Sequence, residues 1–274
     1  MGETLVVGGS GYIGRHMRKV LPEFIYLSSG DMNILSRISV AEYLNGRDVS
    51  LCIILAAVKS YDRTADITKE PFLTNVAGLD ILLSELKKRD VRIIYFSSMT
   101  VYSPENSGAT DENGLIAPMH GYGLSKLYAE HMLCFHNLPT AVLRIPGVYG
   151  GERMDGYIHN AVRKIAKGET FEPDFTDMGY WCTIHIDDLL HMLIAFIHSY
   201  TFEKRFEIFN LSYGEDTDPL ATAVFIKKFL KSESEIRHIG SYSKFYLTSS
   251  RLDSGCRPLM RYYDRLSKYI REIV

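Results

Sequence analysis

The chain has 274 residues, 46% of them hydrophobic and 23% charged, and 31 basic against 33 acidic side chains leave a formal net charge of -2. That balance suits a globular chain with a continuous buried core, enough for one large α/β domain or a nucleotide domain with a companion lobe. It offers no basic excess to displace counterions from phosphates, which argues against a protein that coats nucleic acid, so no nucleic-acid partner is expected.

Short β-rich runs alternate with amphipathic stretches through the first half. Thr4 to Val7 reads as a first strand and Gly11 to Val20 as the helix after it. Phe24 to Leu27 is a second strand, and Ser36 caps a helix running to Leu44. Ser50 to Leu55 is an unbroken apolar run, as a strand covered on both faces requires. A long helical region ends near Arg89, and the strand Arg92 to Phe96 follows. A helix around Tyr122 to Phe135 and a strand from Ala141 to Ile145 continue the series. Such alternation predicts an α/β fold with a doubly wound parallel sheet. Beyond Gly147 the rhythm loosens, glycines precede a helix from Tyr157 to Lys167, and polar loops become frequent. The expectation is a dinucleotide-binding domain over 1–150 and a small C-terminal α/β substrate-binding lobe over 151–274, partly interleaved with the sheet.

Gly8-Gly9-Ser10-Gly11-Tyr12-Ile13-Gly14 joins the first strand to its helix. Glycines at this spacing permit a tight turn, close approach of a pyrophosphate and close helix–strand packing. The helix N-terminus presents unpaired N–H groups to an anion. Gly8, Gly11, Tyr12, Ile13 and Gly14 are therefore expected to contact a dinucleotide in a Rossmann-type site. Where an NAD-binding chain carries an acid at the end of strand two, this one has Leu27-Ser28-Ser29-Gly30. Arg15 stands ready for a 2′-phosphate, so NADP is favoured and NAD remains open.

Tyr122 and Lys126 lie four residues apart, hence on one helix face. Ser98 follows the apolar strand at the carboxyl edge of the sheet, where ligands of open α/β sheets bind. A free phenol, with a pKa of about 10, is a poor base at neutral pH. An adjacent ammonium favours the phenolate, letting the tyrosine exchange a proton with an alcohol or carbonyl. A serine hydroxyl would hold the same oxygen.

Several further segments join these: Leu55-Ala56-Ala57-Val58-Lys59, Asn75-Val76-Ala77-Gly78, Phe96 to Tyr102, Leu143 to Gly150, and Ile184-His185-Ile186-Asp187-Asp188. As a set the chain resembles the extended short-chain dehydrogenase/reductases, the family of nucleotide-sugar epimerases, dehydratases and reductases. The resemblance implies Tyr122 as acid/base, Lys126 as its activator and ribose anchor, and Ser98 as partner of the substrate oxygen. It also implies that Asp31 and Met32 lie beside the adenine, and that Ala56, Ala57 and Lys59 line the cofactor. Asn75 would support the site, Pro146 would lie near the nicotinamide, and His185 and Asp187 would form a structural turn between lobe and sheet.

The chain departs from the family pattern in three places. The short span from Gly14 to Asp31 resembles the deoxysugar-nucleotide 4-ketoreductases. Met99-Thr100 stands where dehydratases carry Asp-Glu, which argues against dehydration. Trp181 replaces an arginine that clamps a diphosphate, and Gly147 replaces an asparagine; an indole has one N–H and no charge. The implied function is an NAD(P)-dependent epimerase or ketoreductase acting on a sugar, with a nucleotide-sugar as the small-molecule substrate. The alternatives are a reductase of a small non-sugar carbonyl and a non-catalytic NAD(P)-binding sensor.

Many members of the family pair through helices flanking the sheet, so the resemblance implies a homodimer with the helix carrying Tyr122 and Lys126 as the candidate surface. Cys52, Cys134, Cys182 and Cys256 show no metal-ligand spacing, so no metal is expected. The chain enters its first strand without a secretory leader pattern, and no apolar run approaches bilayer length. The expectation is a cytoplasmic protein that does not engage a membrane.

Overall fold

The computed structural model describes residues 2–59, 70–176 and 181–274. Its elements begin β1 (Glu3–Val7), α1 (Tyr12–Val20), β2 (Ile25–Leu27), α2 (Arg37–Leu44), β3 (Val49–Ile54), α3 (Glu70–Phe72), a π-helical segment (Leu73–Gly78) and α4 (Leu79–Leu86). They continue with β4 (Arg92–Ser98), a 3-10 turn (Met99–Val101), β5 (Gly108–Thr110), α5 (Gly121–His136), β6 (Thr140–Ile145), β7 (Gly147–Tyr149) and α6 (Tyr157–Ala166). The last are β8 (Thr183–His185), α7 (Ile186–Ser199), β9 (Phe206–Asn210), α8 (Pro219–Leu230), β10 (Phe245–Leu247) and α9 (Tyr262–Ile273).

The chain forms two compact units. The first comprises residues 1–103, 116–144 and 200–209, and the second 104–115, 145–199 and 210–274. The chain passes between units after Ser103, Leu115, Arg144, Ser199 and Phe209.

The main sheet has six strands in the order β2-β1-β3-β4-β6-β9, and the pairs β1·β2, β1·β3 and β3·β4 are parallel. Strand order reverses at β1, with β2 on one side and β3 on the other. The loops leaving β1 and β3 diverge there, and that divergence makes the ligand crevice of a doubly wound sheet. β3 is buried along almost its whole length, which explains its continuous apolar run. Leu5, Val7, Ile54, Ile93 and Tyr95 form a core with Leu79, Leu83 and Leu133 from the helices. Ser36 caps α2 by accepting from the Ser39 N–H at 3.3 Å. α5 stops at Asn137, whose φ of 55° lies in the left-handed region that asparagine tolerates. β2 has three residues, so the short span from Gly14 to Asp31 yields a single short edge strand.

The second unit contains two parallel pairs, β5·β10 and β7·β8, with α6 packed on α8 and α8 on α9. Among the described residues, no helix is long and apolar enough to cross a membrane.

Candidate active site

The glycine loop is held from both sides. The Leu27 carbonyl accepts from the N–H groups of Gly8 and Gly9, at 3.0 and 2.8 Å, and the Val7 carbonyl accepts from Leu55 and Ala56, at 2.8 and 2.9 Å. Gly8 has φ +86°, and a Cβ there would stand 2.5 Å from the Ala56 nitrogen. A Cβ on Gly14 would stand 2.5 Å from the Gly9 carbonyl oxygen, so α1 packs onto the loop only without one. Gly11 differs: an added Cβ would meet only the Gly8 oxygen at 3.2 Å, and no side chain caps the helix N-terminus there. An open, uncapped helix end with missing side chains fits a pyrophosphate. Tyr12 and Ile13 are half-buried on the first turn, with the Tyr12 ring edge-on to His16 at 4.8 Å.

The residues expected around the adenosine fall into distinct settings. Arg15 is exposed and donates to the Ser10 carbonyl at 2.9 Å. Arg18, one turn later, lies over the Tyr26 ring at 4.9 Å. Asp31 folds back on the end of β2, accepting from the Ser28 N–H at 2.8 Å and the Ser28 hydroxyl at 2.6 Å. These bonds, with help from the Arg18 charge, hold its carboxyl below the usual range. Sequence alone leaves the β2 end without an acid, whereas this turn returns a carboxylate to it. Met32 is 2% exposed and belongs to the core, so only its backbone remains for a ligand. Ala56 and Ala57 are half-buried and Lys59 is exposed.

Asn75 sits in the π-helical segment, a local widening often found where a side chain must be re-aimed. Its amide accepts from Val58 N–H at 2.8 Å and donates to Val58 O at 2.9 Å and Ser125 Oγ at 2.9 Å. Ser125 in turn donates to the Tyr122 carbonyl at 2.7 Å. One buried amide thus ties the loop after β3 to the first turn of α5.

Tyr122 and Lys126 share the inner face of α5, and the Lys126 nitrogen stands 5.9 Å from the Tyr122 ring centre. The lysine is 1% exposed. It donates to the Phe96 carbonyl at 2.6 Å and the Tyr95 hydroxyl at 3.0 Å. Burial pulls its pKa down to about 7; Glu130 opposes this and Lys59 adds to it.

Ser98 ends β4 and caps the 3-10 turn. Its oxygen accepts from the Thr100 N–H at 3.2 Å and the Thr100 hydroxyl at 2.9 Å. A hydroxyl has two acceptor positions and one donor, so Ser98 keeps its proton for something else. A Cβ added at Gly123 would stand 2.2 Å from the Thr100 carbonyl oxygen. Thr100 therefore touches Ser98 through its hydroxyl and the backbone beside Tyr122 through its carbonyl. Behind them, Glu130 accepts from Ser97 at 2.5 Å and from Arg144 at 3.0 and 2.7 Å, and Arg144 donates to Tyr102 at 3.0 Å.

Sequence reasoning singled out none of Tyr95, Gly123, Glu130 and Arg144, and set Thr100 aside. Glu130 carried a signal, standing one helical turn beyond Lys126 on the same face. Pro146 belongs to the second unit.

Trp181, in that unit, packs edge-on to Tyr157 at 4.5 Å, and its buried indole N–H has no acceptor among the described residues. His185 accepts from the Asp187 N–H at 3.2 Å and lies between the rings of Tyr149 and Tyr269, at 5.0 and 5.8 Å. Burial pushes its pKa down to about 4, so the imidazole is neutral and packs. Asp188 carries the weight of the turn. It accepts from Arg265 at 2.7 and 2.9 Å, from Tyr213 at 2.7 Å and from Leu259 N–H at 3.0 Å. Among the described residues, no His, Cys, Asp and Glu cluster could hold a metal, and all four cysteines are free thiols.

Comparison with known proteins gives the family and the fold. The chain is 30% identical to a putative UDP-glucose 4-epimerase of Methanocaldococcus jannaschii over 195 residues, covering 61% of this chain and 64% of that protein. It is 24% identical to a dTDP-4-dehydrorhamnose reductase of Aggregatibacter actinomycetemcomitans, covering 55% of this chain and 53% of the relative. The match thus spans between half and two thirds of the length of these relatives. Its fold is similar to that of the dTDP-4-dehydrorhamnose reductase from Yersinia enterocolitica, with a TM-score of 0.82 at 16% identity and 100% coverage of both chains. The profile of the NAD-dependent epimerase/dehydratase family matches residues 4–212. The chain belongs to the NAD-dependent epimerase/dehydratase family.

Proposed function

We propose that the protein is a nicotinamide-dependent epimerase or ketoreductase acting at a carbinol or keto carbon of a sugar, with a nucleotide-linked sugar as substrate. The observation that carries this is a pairing within the first unit. An uncapped glycine cradle stands at the α1 N-terminus, and a phenol and an amine share the inner face of α5. The glycine loop would hold the pyrophosphate, and Lys126 and the Asp31 turn would hold ribose and adenine. A bound nicotinamide would supply or accept hydride. Tyr122 moves the proton at the substrate oxygen, and Ser98 donates its remaining hydrogen bond to that oxygen. Arg15 and Arg18 support NADP and the returned Asp31 carboxylate supports NAD, so direct titration of both dinucleotides decides between them.

A reductase of a small non-sugar carbonyl is the second reading. Trp181 supports it, since the family resemblance aligns this uncharged indole with an arginine that clamps a diphosphate. For assembly we favour a homodimer through α5, whose outward side shows Tyr128 at 51% and Phe135 at 85% exposure. A Phe135→Glu variant should sediment as a monomer where the wild type sediments as a dimer.

The function is tested with UDP-glucose, UDP-galactose and dTDP-4-keto-6-deoxyglucose as probes, following product formation and the nicotinamide absorbance. Turnover of a sugar nucleotide supports the first reading. Reduction of simple ketones alone would transfer support to the second.

A further inference from the structure

We propose that Tyr95 is the positioning residue for Lys126: its phenol oxygen keeps the buried amine protonated and aimed to bind a dinucleotide. This rests on the cofactor reading above.

An ammonium has three donors. At Lys126 two are taken by neutral acceptors, the Phe96 carbonyl at 2.6 Å and the Tyr95 hydroxyl at 3.0 Å. One remains for a ribose hydroxyl. The ring centre lies 4.4 Å from the same nitrogen, so the amine sits at the hydroxyl end of the ring and meets Tyr95 through its oxygen. Among the described residues no carboxylate pairs directly with Lys126, so these contacts replace a counter-ion. The groups facing the amine are Tyr95 on β4, Tyr122 and Glu130 on α5, and Lys59 on the loop after β3. Glu130 favours the charged form but is committed to Arg144, while burial and Lys59 oppose it. The balance lies near neutrality, where one hydrogen bond decides how much amine is protonated. Tyr95 cannot become a counter-anion, since burial pushes its own pKa well above 10. It serves as a fixed neutral acceptor. Core packing explains the ring but not the oxygen, as phenylalanine would fill the same space.

The experiment titrates NAD and NADP by calorimetry from pH 5.5 to 9 into wild type, Tyr95→Phe and Lys126→Met, with thermal unfolding as a check on folding. Wild-type affinity should fall as pH rises through about 7, where Lys126 loses its proton. Tyr95→Phe, deprived of an acceptor, should show the same fall at lower pH. Its affinity should match wild type within about threefold at pH 5.5 and be weaker by roughly tenfold near pH 7.5, the scale of one hydrogen bond to a charged group. Lys126→Met should bind weakly with no such fall. A structural role would weaken binding equally at every pH. Superimposable or parallel curves for wild type and Tyr95→Phe would therefore remove Tyr95 from this role while leaving the cofactor reading intact. A wild type that binds neither dinucleotide at any pH would remove both.

Discussion

Arg265 in the second unit and Lys126 in the first are both nearly sealed from water, at 3% and 1% exposure. Arg265 meets a carboxylate face to face, and that carboxylate, on Asp188, is completed by a phenol and a backbone N–H. Lys126 meets a carbonyl and a hydroxyl. Around Arg265 charge is neutralised, and both carboxylate oxygens of Asp188 are used within the fold. Around Lys126 a buried amine is left near its titration point, which costs stability and has no architectural return. A buried group held in an unfavourable charge balance marks a working site, whereas a fully compensated one marks a joint. The sequence shows ionisable residues in both motifs, and only their partners separate the roles.

Two substitutions should pull these regions apart. Tyr122→Phe removes the acid/base and should lower turnover by roughly 10²–10⁴-fold, the usual worth of a positioned proton donor. Dinucleotide affinity and unfolding midpoint should stay near wild type. Undiminished turnover would take Tyr122 out of the mechanism. Asp188→Asn should do the reverse, leaving the Arg265 charge buried with only half-exposed Asp187 at 3.3 Å as an acid partner. Breaking one side of a buried pair costs about 3–5 kcal/mol, so urea unfolding should begin at markedly lower concentration. A variant as stable as wild type would show that the turn is not a joint.

A smaller effect tests the spacing of the site. Gly123→Ala puts a methyl group 2.2 Å from the Thr100 carbonyl oxygen. Backbone cannot yield as a flexible side chain does, so α5 must shift away from the turn after β4. Overpacking of this kind costs about 1–3 kcal/mol, and here it should lower turnover as well as stability, because the shift separates Ser98 from Tyr122. Loss of stability with turnover intact would mean that the spacing is not critical.

Much of the first unit was legible because each signal was local. The unbroken apolar run of β3 reports burial on both faces, the glycine spacing reports a loop before a helix, and the four-residue step from Tyr122 to Lys126 reports one helix face. What escaped depends on strand order. Glu130 and Arg144 meet because β6 lies beside β4, which no spacing reveals. Asp188 and Arg265 are 77 residues apart. Tyr95 looks apolar in a strand run, and only the position of the Lys126 nitrogen gives its oxygen a purpose. Asp31 lies three residues past the position where an acid is normally sought, and a turn onto Ser28 brings it back.

The finest test concerns Thr100, whose hydroxyl cannot do acid/base work. It can still direct the hydroxyl that touches substrate. With its N–H and O–H both donated to Ser98, the serine proton is the only valence left to point elsewhere. Thr100→Val keeps the shape and the N–H but deletes the hydroxyl, so the Ser98 proton can turn back toward its own turn. Turnover should fall by roughly three- to tenfold, the net worth of one neutral hydrogen bond, with dinucleotide affinity unchanged. Thr100→Ser restores the hydroxyl without the methyl and should recover most of the rate. Equal losses in the two variants would assign the effect to packing of the missing or altered methyl rather than to hydrogen-bond direction. Full activity in Thr100→Val would show that Ser98 orients itself, and that the turn after β4 contributes spacing alone.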